Sequence, residues 1–196
     1  MRKILILFAH PRFEHSVVNM ALADAAKNVQ GVTFHDLYQL YPDYYIDVEA
    51  EHNLLIEHDV IVWHHPFYWY SCPPLLKQWI DIVLEYNWAY GHNGNFLKGK
   101  YILNAITTGG AVEAYQKEGR NRFTVRELLA PFEQTAFLCK MEYLPPFAIQ
   151  GTHLIEKNQI EKYALAYADL LNFLSEGSND LKALKESTFL NSYSIK

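Results

Sequence analysis

Three short stretches of this chain carry side chains suited to holding a small molecule. The first, HPRFEHSVVN at residues 10–19, offers the Ser16 hydroxyl, the Asn19 amide and the start of a helix. Unpaired N–H groups at a helix start favour an anion such as phosphate. The second is a run of four aromatics, Phe67, Tyr68, Trp69 and Tyr70, whose flat faces suit a ring system. The third, Thr107-Thr108-Gly109-Gly110, lets backbone approach a ligand closely, because glycine carries no side chain. Each stretch also has a plainer reading: Ser16 as a simple helix cap, the aromatics as core or a subunit contact, and TTGG as a tight turn. Taken together they fit a phosphate joined to a flat ring, and so a pocket for flavin mononucleotide (FMN). Neither GxGxxG nor GxxxxGK[ST] occurs, which disfavours a dinucleotide fingerprint and a P-loop.

Other chemistries fit less well. His64 and His65, with His10, His15 and His92 elsewhere, invite a metal reading. Neighbouring residues on a strand point to opposite faces, so these two do not share an ion; no metal site is expected. Cys72 has no evident base beside it to make it a nucleophile. Cys72 and Cys139 are too few for a disulfide scaffold and fit a reduced, intracellular protein. A formal net charge of −5 with scattered lysine and arginine gives no basic stripe, so nucleic acid is not an expected partner. The opening MRKILILFAH is too short in its apolar run for a signal peptide and reads as a strand. No stretch approaches the roughly 20 apolar residues that span a bilayer.

The elements that must position these stretches follow from the hydrophobic pattern. Ile4 to Phe8 is a continuous apolar run suited to a buried strand, and a helix follows it with Ser16 at its start and Met20, Leu22, Ala23, Ala26 and Val29 along it. Val32 to Leu37 alternates as a strand at or near an edge, Tyr41 to Ile46 is an irregular aromatic loop, and Asp47 caps a short helix. The run from Val60 is the central strand, broken at Pro66, and Pro73-Pro74 opens a helix carrying Leu75, Leu76, Trp79, Ile80, Ile82 and Val83. A Gly- and Asn-rich loop leads to a strand at Tyr101 to Ile106, then a helix over Phe123 to Cys139 interrupted or kinked at Pro131. A fifth strand at Glu142 to Gln150 and a helix over Glu156 to Leu174 complete the pattern; residues 177–196 form a tail with no assigned element. At 196 residues the chain fits one α/β domain, residues 1–176 plus the tail. Alternating strands and helices predict a doubly wound parallel sheet of order 2-1-3-4-5, whose carboxyl-end loops after strands 1, 3 and 4 surround one ligand. The 15% aromatic content, with 14 Tyr and 4 Trp, needs a surface to serve.

At ILFAHPRFEHSVVN, LYQLYPDYYIDVEAE, VIVWHHPFYWYSCPPLLKQWID, WAYGHNG, TTGG and YLPPFAI the chain resembles the flavodoxin-fold NAD(P)H:quinone oxidoreductases. The likeness spans Ile4 to Ile155 and points to the short bacterial branch that includes the ancillary oxidoreductases of glutathione-gated potassium efflux systems. The resemblance implies that His10, Ser16, Val17, Val18, Asn19, Phe67, Tyr68, Trp69, Tyr70, Thr107, Thr108, Gly109 and Gly110 bind flavin. It implies FMN, with FAD as the alternative. Tyr115 matches the residue that binds quinone or nicotinamide and steadies charge in hydride transfer, and Tyr90 resembles a lid tyrosine that reaches a neighbouring subunit's pocket. Where the family has a histidine shortly after that catalytic tyrosine, this chain reads Gly119-Arg120-Asn121-Arg122. The implied reaction is two-electron, ping-pong transfer from NAD(P)H to a quinone, in a cytoplasmic homodimer. A second implied role is that of a regulatory subunit at the inner face of the cell membrane, bound to a potassium efflux transporter; a third reading is a one-electron carrier.

Overall fold

The computed structural model describes residues 1–191. Its centre is a parallel sheet in the order β2-β1-β3-β4-β5, with β6 also paired to β4. The strands are β1 (Ile4–Phe8), β2 (Val32–Asp36), β3 (Val60–Pro66), β4 (Tyr101–Thr107), β5 (Glu142–Tyr143) and β6 (Phe147–Ile149). β1 and β3 are buried along their whole length, as the apolar runs Ile4–Phe8 and Val60–Trp63 require when helices cover both faces.

One face is covered by α1 (Val17–Lys27) and α7 (Lys157–Ser175), packed over Ile4, Ile6, Phe8, Val60 and Val62. The other, over Leu5, Leu7, Ile61 and Trp63, meets α3 (Val48–Glu57), α4 (Pro74–Val83) and α6 (Ala130–Leu138). In α4 the spacing of Leu75, Leu76, Trp79 and Val83 puts all four against the sheet; burying each such side chain contributes about 1.5–3 kcal/mol.

Three elements differ from the sequence pattern, each for a local reason. The second strand ends at Asp36, because its carboxylate accepts hydrogen bonds from the N–H groups of Tyr38 and Gln39 and starts the one-turn helix α2 (Leu37–Leu40). The fifth strand is two pieces, since Pro145 and Pro146 have no N–H to continue the ladder between β5 and β6. The long helix before it divides at Leu129 into α5 (Val125–Leu128) and α6, with Pro131 in the first turn of α6.

Beyond Gly177, a 3-10 segment at Leu181–Glu186 buries Leu181 and Leu184, and Leu190 joins the same cluster. The Asn191 side chain then accepts from the N–H of Ala148 and donates to its carbonyl, which pairs the free edge of β6. Residues 192–196 of the tail lie outside the described residues.

The aromatic loop expected at Tyr41 to Ile46 is held by a buried carboxylate. Glu51 accepts from the Tyr41 hydroxyl at 2.6 Å, His35 Nε2 at 2.7 Å and Trp79 Nε1 at 2.7 Å. Burial pushes its pKa up, but hydrogen bonds from His35, Tyr41 and Trp79 outweigh that and hold it below the usual range.

Candidate functional site

A cavity of about 830 Å³ opens at the carboxyl ends of β1, β3 and β4, a volume within the usual range for a small-molecule site. His10, Ser16, Val17, Val18 and Asn19 line one side, Pro66, Phe67 and Tyr68 another, and Thr107 and Gly109 a third. Ser16 stands at the N-cap of α1, yet no side chain caps that helix. Its Oγ instead accepts from Asn19 Nδ2 at 2.8 Å, so the plain cap reading does not hold and the first-turn N–H groups face the cavity side uncapped.

Asn19 is the hub of this corner. Its Nδ2 also donates to Thr107 Oγ1 at 3.0 Å, and its Oδ1 pairs with His64 Nε2 at 3.1 Å. The amide thus joins the first turn of α1 to the last residue of β4, 88 positions away. His10 sits at the rim with Nδ1 accepting from the Arg12 N–H; burial lowers its pKa, with Glu14 pulling the other way, so it is neutral at pH 7.

The aromatic loop is strained. Trp69 and Tyr70 hold φ of 49° and 63°, a left-handed region costing side-chain-bearing residues roughly 1–2 kcal/mol each. Phe67 and Tyr68 turn into the cavity, while Trp69 is 92% exposed and Tyr70 donates to Asn121 Oδ1 at 3.2 Å. Trp69, Tyr70, Thr108, Gly110 and Tyr115 lie outside the cavity lining. Thr108 is occupied in the loop itself, its Oγ1 donating to the Gly110 carbonyl. Tyr115 is buried against Gly110 and Phe67, where a Cβ on Gly110 would stand 3.0 Å from its ring. Burial raises its pKa, so it keeps its proton at neutral pH. Neither Gly109 nor Gly110 has a left-handed φ; what they supply is room.

Tyr90 packs on Tyr86, away from this chain's own cavity. Its loop is pinned by Lys140 Nζ, which donates to the carbonyls of Gly91 and Gly94 and to Asn95 Oδ1 at 2.7–3.1 Å. His64 and His65 point to opposite faces of β3, and among the described residues no three metal-ligating side chains gather.

The cavity has a fourth wall that the sequence reasoning missed: Thr152, His153, Ile155, Lys157 and Ile160, and Arg12 and His15 also line it. The signal was present. The loop after the fifth strand, like those after strands 1, 3 and 4, leaves a carboxyl end, so the same crevice rule applied to Gly151-Thr152-His153. Backbone bonds from Thr108 to Ile149 and from Gly151 to Gly110 draw that loop against TTGG.

The open parallel sheet carries its cavity at the carboxyl edge, with the start of α1 on one side and Phe67 and Tyr68 on another. The chain belongs to the flavodoxin-like fold family, which it matches over residues 2–171. It is 46% identical, over 86% of its length and 92% of the relative's, to the glutathione-regulated potassium-efflux system ancillary protein KefG of Pectobacterium carotovorum. The crystal structure of general stress protein 14 from Treponema denticola in complex with FMN is 42% identical with a TM-score of 0.83, covering 87% of this chain and 98% of that one. An NADPH-quinone reductase from P. pentosaceus is 33% identical with a TM-score of 0.79, covering 90% and 99%.

Proposed function

We propose that the protein is an FMN-dependent NAD(P)H:quinone oxidoreductase. The observation that carries this reading is the corner where the uncapped start of α1, Ser16 and Thr107 converge through Asn19 beside Phe67 and Tyr68. Those residues would hold the phosphate, with the Arg12 and Lys157 cations adding positive charge. Phe67, Tyr68 and the narrow Gly109 passage would flank a flat ring. Bound there, FMN supplies two-electron exchange between NAD(P)H and a quinone, with the two partners using one place in turn.

Tyr115, neutral and next to Phe67, is the group we assign to orient quinone or nicotinamide and to steady the charge that develops. Asn121 holds Tyr70 in the region where a catalytic histidine occurs in similar enzymes. Exposed Trp69, Tyr45 and Tyr86 support a homodimer, in which Tyr90 would serve the neighbouring subunit's cavity.

A second role rests on the 46% identity to the KefG ancillary protein: docking at the cytoplasmic face of a potassium efflux transporter. Among the described residues no helix is long and apolar enough to cross a membrane, so this role would be that of a peripheral subunit.

The test is the visible spectrum of the purified protein during anaerobic NADPH addition and then quinone addition. A yellow protein that bleaches and recovers is expected. A colourless protein that takes up neither FMN nor FAD would sink the assignment.

A further inference from the structure

The buried groups behind the anion corner form a chain with a direction. Tyr167 on α7 is fully buried, its hydroxyl 3.3 Å from His64 Nδ1. His64, equally buried, presents Nε2 to Asn19 Oδ1, and Asn19 Nδ2 reaches both Ser16 Oγ and Thr107 Oγ1. Phe8 and Tyr167 pack edge-on against the imidazole at 5.0 and 5.3 Å, which fixes its plane. Burial pulls the His64 pKa down to about 3, so the ring is neutral and carries one hydrogen. Which nitrogen carries it is decided by the partners.

Among the described residues, His64 Nδ1 is the acceptor within reach of the Tyr167 hydroxyl. A hydroxyl hydrogen left unmet at this depth would disfavour the reverse arrangement by roughly tenfold to a hundredfold. Tyr167 therefore donates to Nδ1, Nε2 bears the hydrogen, and that hydrogen requires the oxygen of Asn19 to face it. Both amide hydrogens of Asn19 are then spent on the lone pairs of Ser16 and Thr107. Those two hydroxyls keep their own hydrogens free for the cavity. Run the other way, the hydroxyls would donate to Asn19 and present only lone pairs to an anion, which repels it.

We propose that His64, which lies outside the cavity lining, is a positioning residue that fixes the Asn19 amide so that Ser16 and Thr107 act as donors to the phosphate of the bound ligand. Standing two hydrogen bonds behind the Ser16 and Thr107 hydroxyls, it acts on the phosphate rather than on the ring. The identity of the ligand rests on the FMN reading; the direction of the chain does not.

The experiment pairs nitrogen NMR of the histidine-labelled apoprotein with binding of FMN, riboflavin and inorganic phosphate to the wild type, His64→Leu and His64→Gln. Riboflavin carries the ring without the phosphate. The Gln side chain can place an amide N–H where Nε2 stands and a carbonyl toward Tyr167. The expected results are a wild-type His64 protonated at Nε2, and FMN affinity lowered about fivefold to tenfold in His64→Leu with riboflavin affinity unchanged. His64→Gln should recover most of the loss. A hydrogen on Nδ1, or equal losses for FMN and riboflavin in His64→Leu, would overturn the proposal. If the wild type binds neither flavin, the FMN reading fails by itself. The tautomer and the phosphate affinities of the variants then still decide the direction of the chain. Should His64→Leu not fold, the wild-type tautomer and His64→Gln carry the decision.

Discussion

His64 and His65 are neighbours in sequence and sit on opposite faces of one sheet, each fully buried and each tied to an asparagine and a tyrosine. On the α1 and α7 face the set is His64, Asn19 and Tyr167. On the α4 and α6 face it is His65, Asn104 and Tyr143: Asn104 Nδ2 lies 3.0 Å from His65 Nε2, and the Tyr143 hydroxyl donates to Asn104 Oδ1 at 2.6 Å. The two differ in where they end. His65 turns Nδ1 back onto the Pro66 carbonyl and stacks on Phe132, closing on the protein itself. The His64 set passes through Asn19 to two hydroxyls at the cavity. A buried polar network thus becomes part of a site only when its last members face the ligand; otherwise it satisfies the core and fixes the strand end.

The harshest way to separate the faces is to close the cavity. A Cβ on Gly109 would stand 2.8 Å from His153 Nε2, so Gly109→Val should push that ring and expel FMN, lowering affinity by about a hundredfold or more. Flavin content after purification measures this; full occupancy would show that the Gly109 wall is not part of the ligand site. The paired amides come next. Asn19→Leu and Asn104→Leu each strand a buried histidine and should each lose about 1–3 kcal/mol in urea denaturation. FMN affinity should fall at least about tenfold in Asn19→Leu alone, and equal losses from both variants would erase the distinction between the faces.

Acid should treat the two faces alike. Burial pulls His64 and His65 to about 3 and about 4, against about 6.5 in an unfolded chain. The unfolded state protonates first, so this stability is complete above about pH 6.5 and is lost as pH falls toward 4. Each histidine contributes a slope of about 1.4 kcal/mol per pH unit, and His10 and His58 act in the same sense. Denaturation at stepped pH should show the stability of His65→Leu falling less steeply than wild type; identical slopes would mean that His65 is not held neutral. The smallest effect concerns a residue just off the cavity. Tyr115→Phe should slow quinone turnover about tenfold or less with flavin content unchanged, and an unaltered rate would remove Tyr115 from the reaction.

Much of the frame was legible in the sequence because it rests on local rules. Apolar runs at Ile4–Phe8 and Val60–Trp63 specify strands buried on both faces, Asp47 caps α3 through the N–H of Ala50 as its position suggests, and the alternation of elements leads to the 2-1-3-4-5 order. Local rules failed where two of them competed at one residue. Asp36 could extend a strand or cap a helix, and the helix won. Pro145-Pro146 divided an apolar stretch that otherwise reads as one strand.

What the sequence by itself determined is that residues 64 and 65 face apart, that several loops end on one edge, and that their residue types suit an anion beside a flat ring. Strand period and strand direction are short-range properties, carried by the chain wherever it folds. Only the tertiary structure decided which histidine stands behind the cavity, that Asn19 bridges Ser16 to Thr107, and that Gly151 to Lys157 supplies the fourth wall. Those relations join groups 45 and 88 positions apart. They depend on which helices cover each face and on the angle at which each loop leaves its strand, quantities set by packing across the whole sheet.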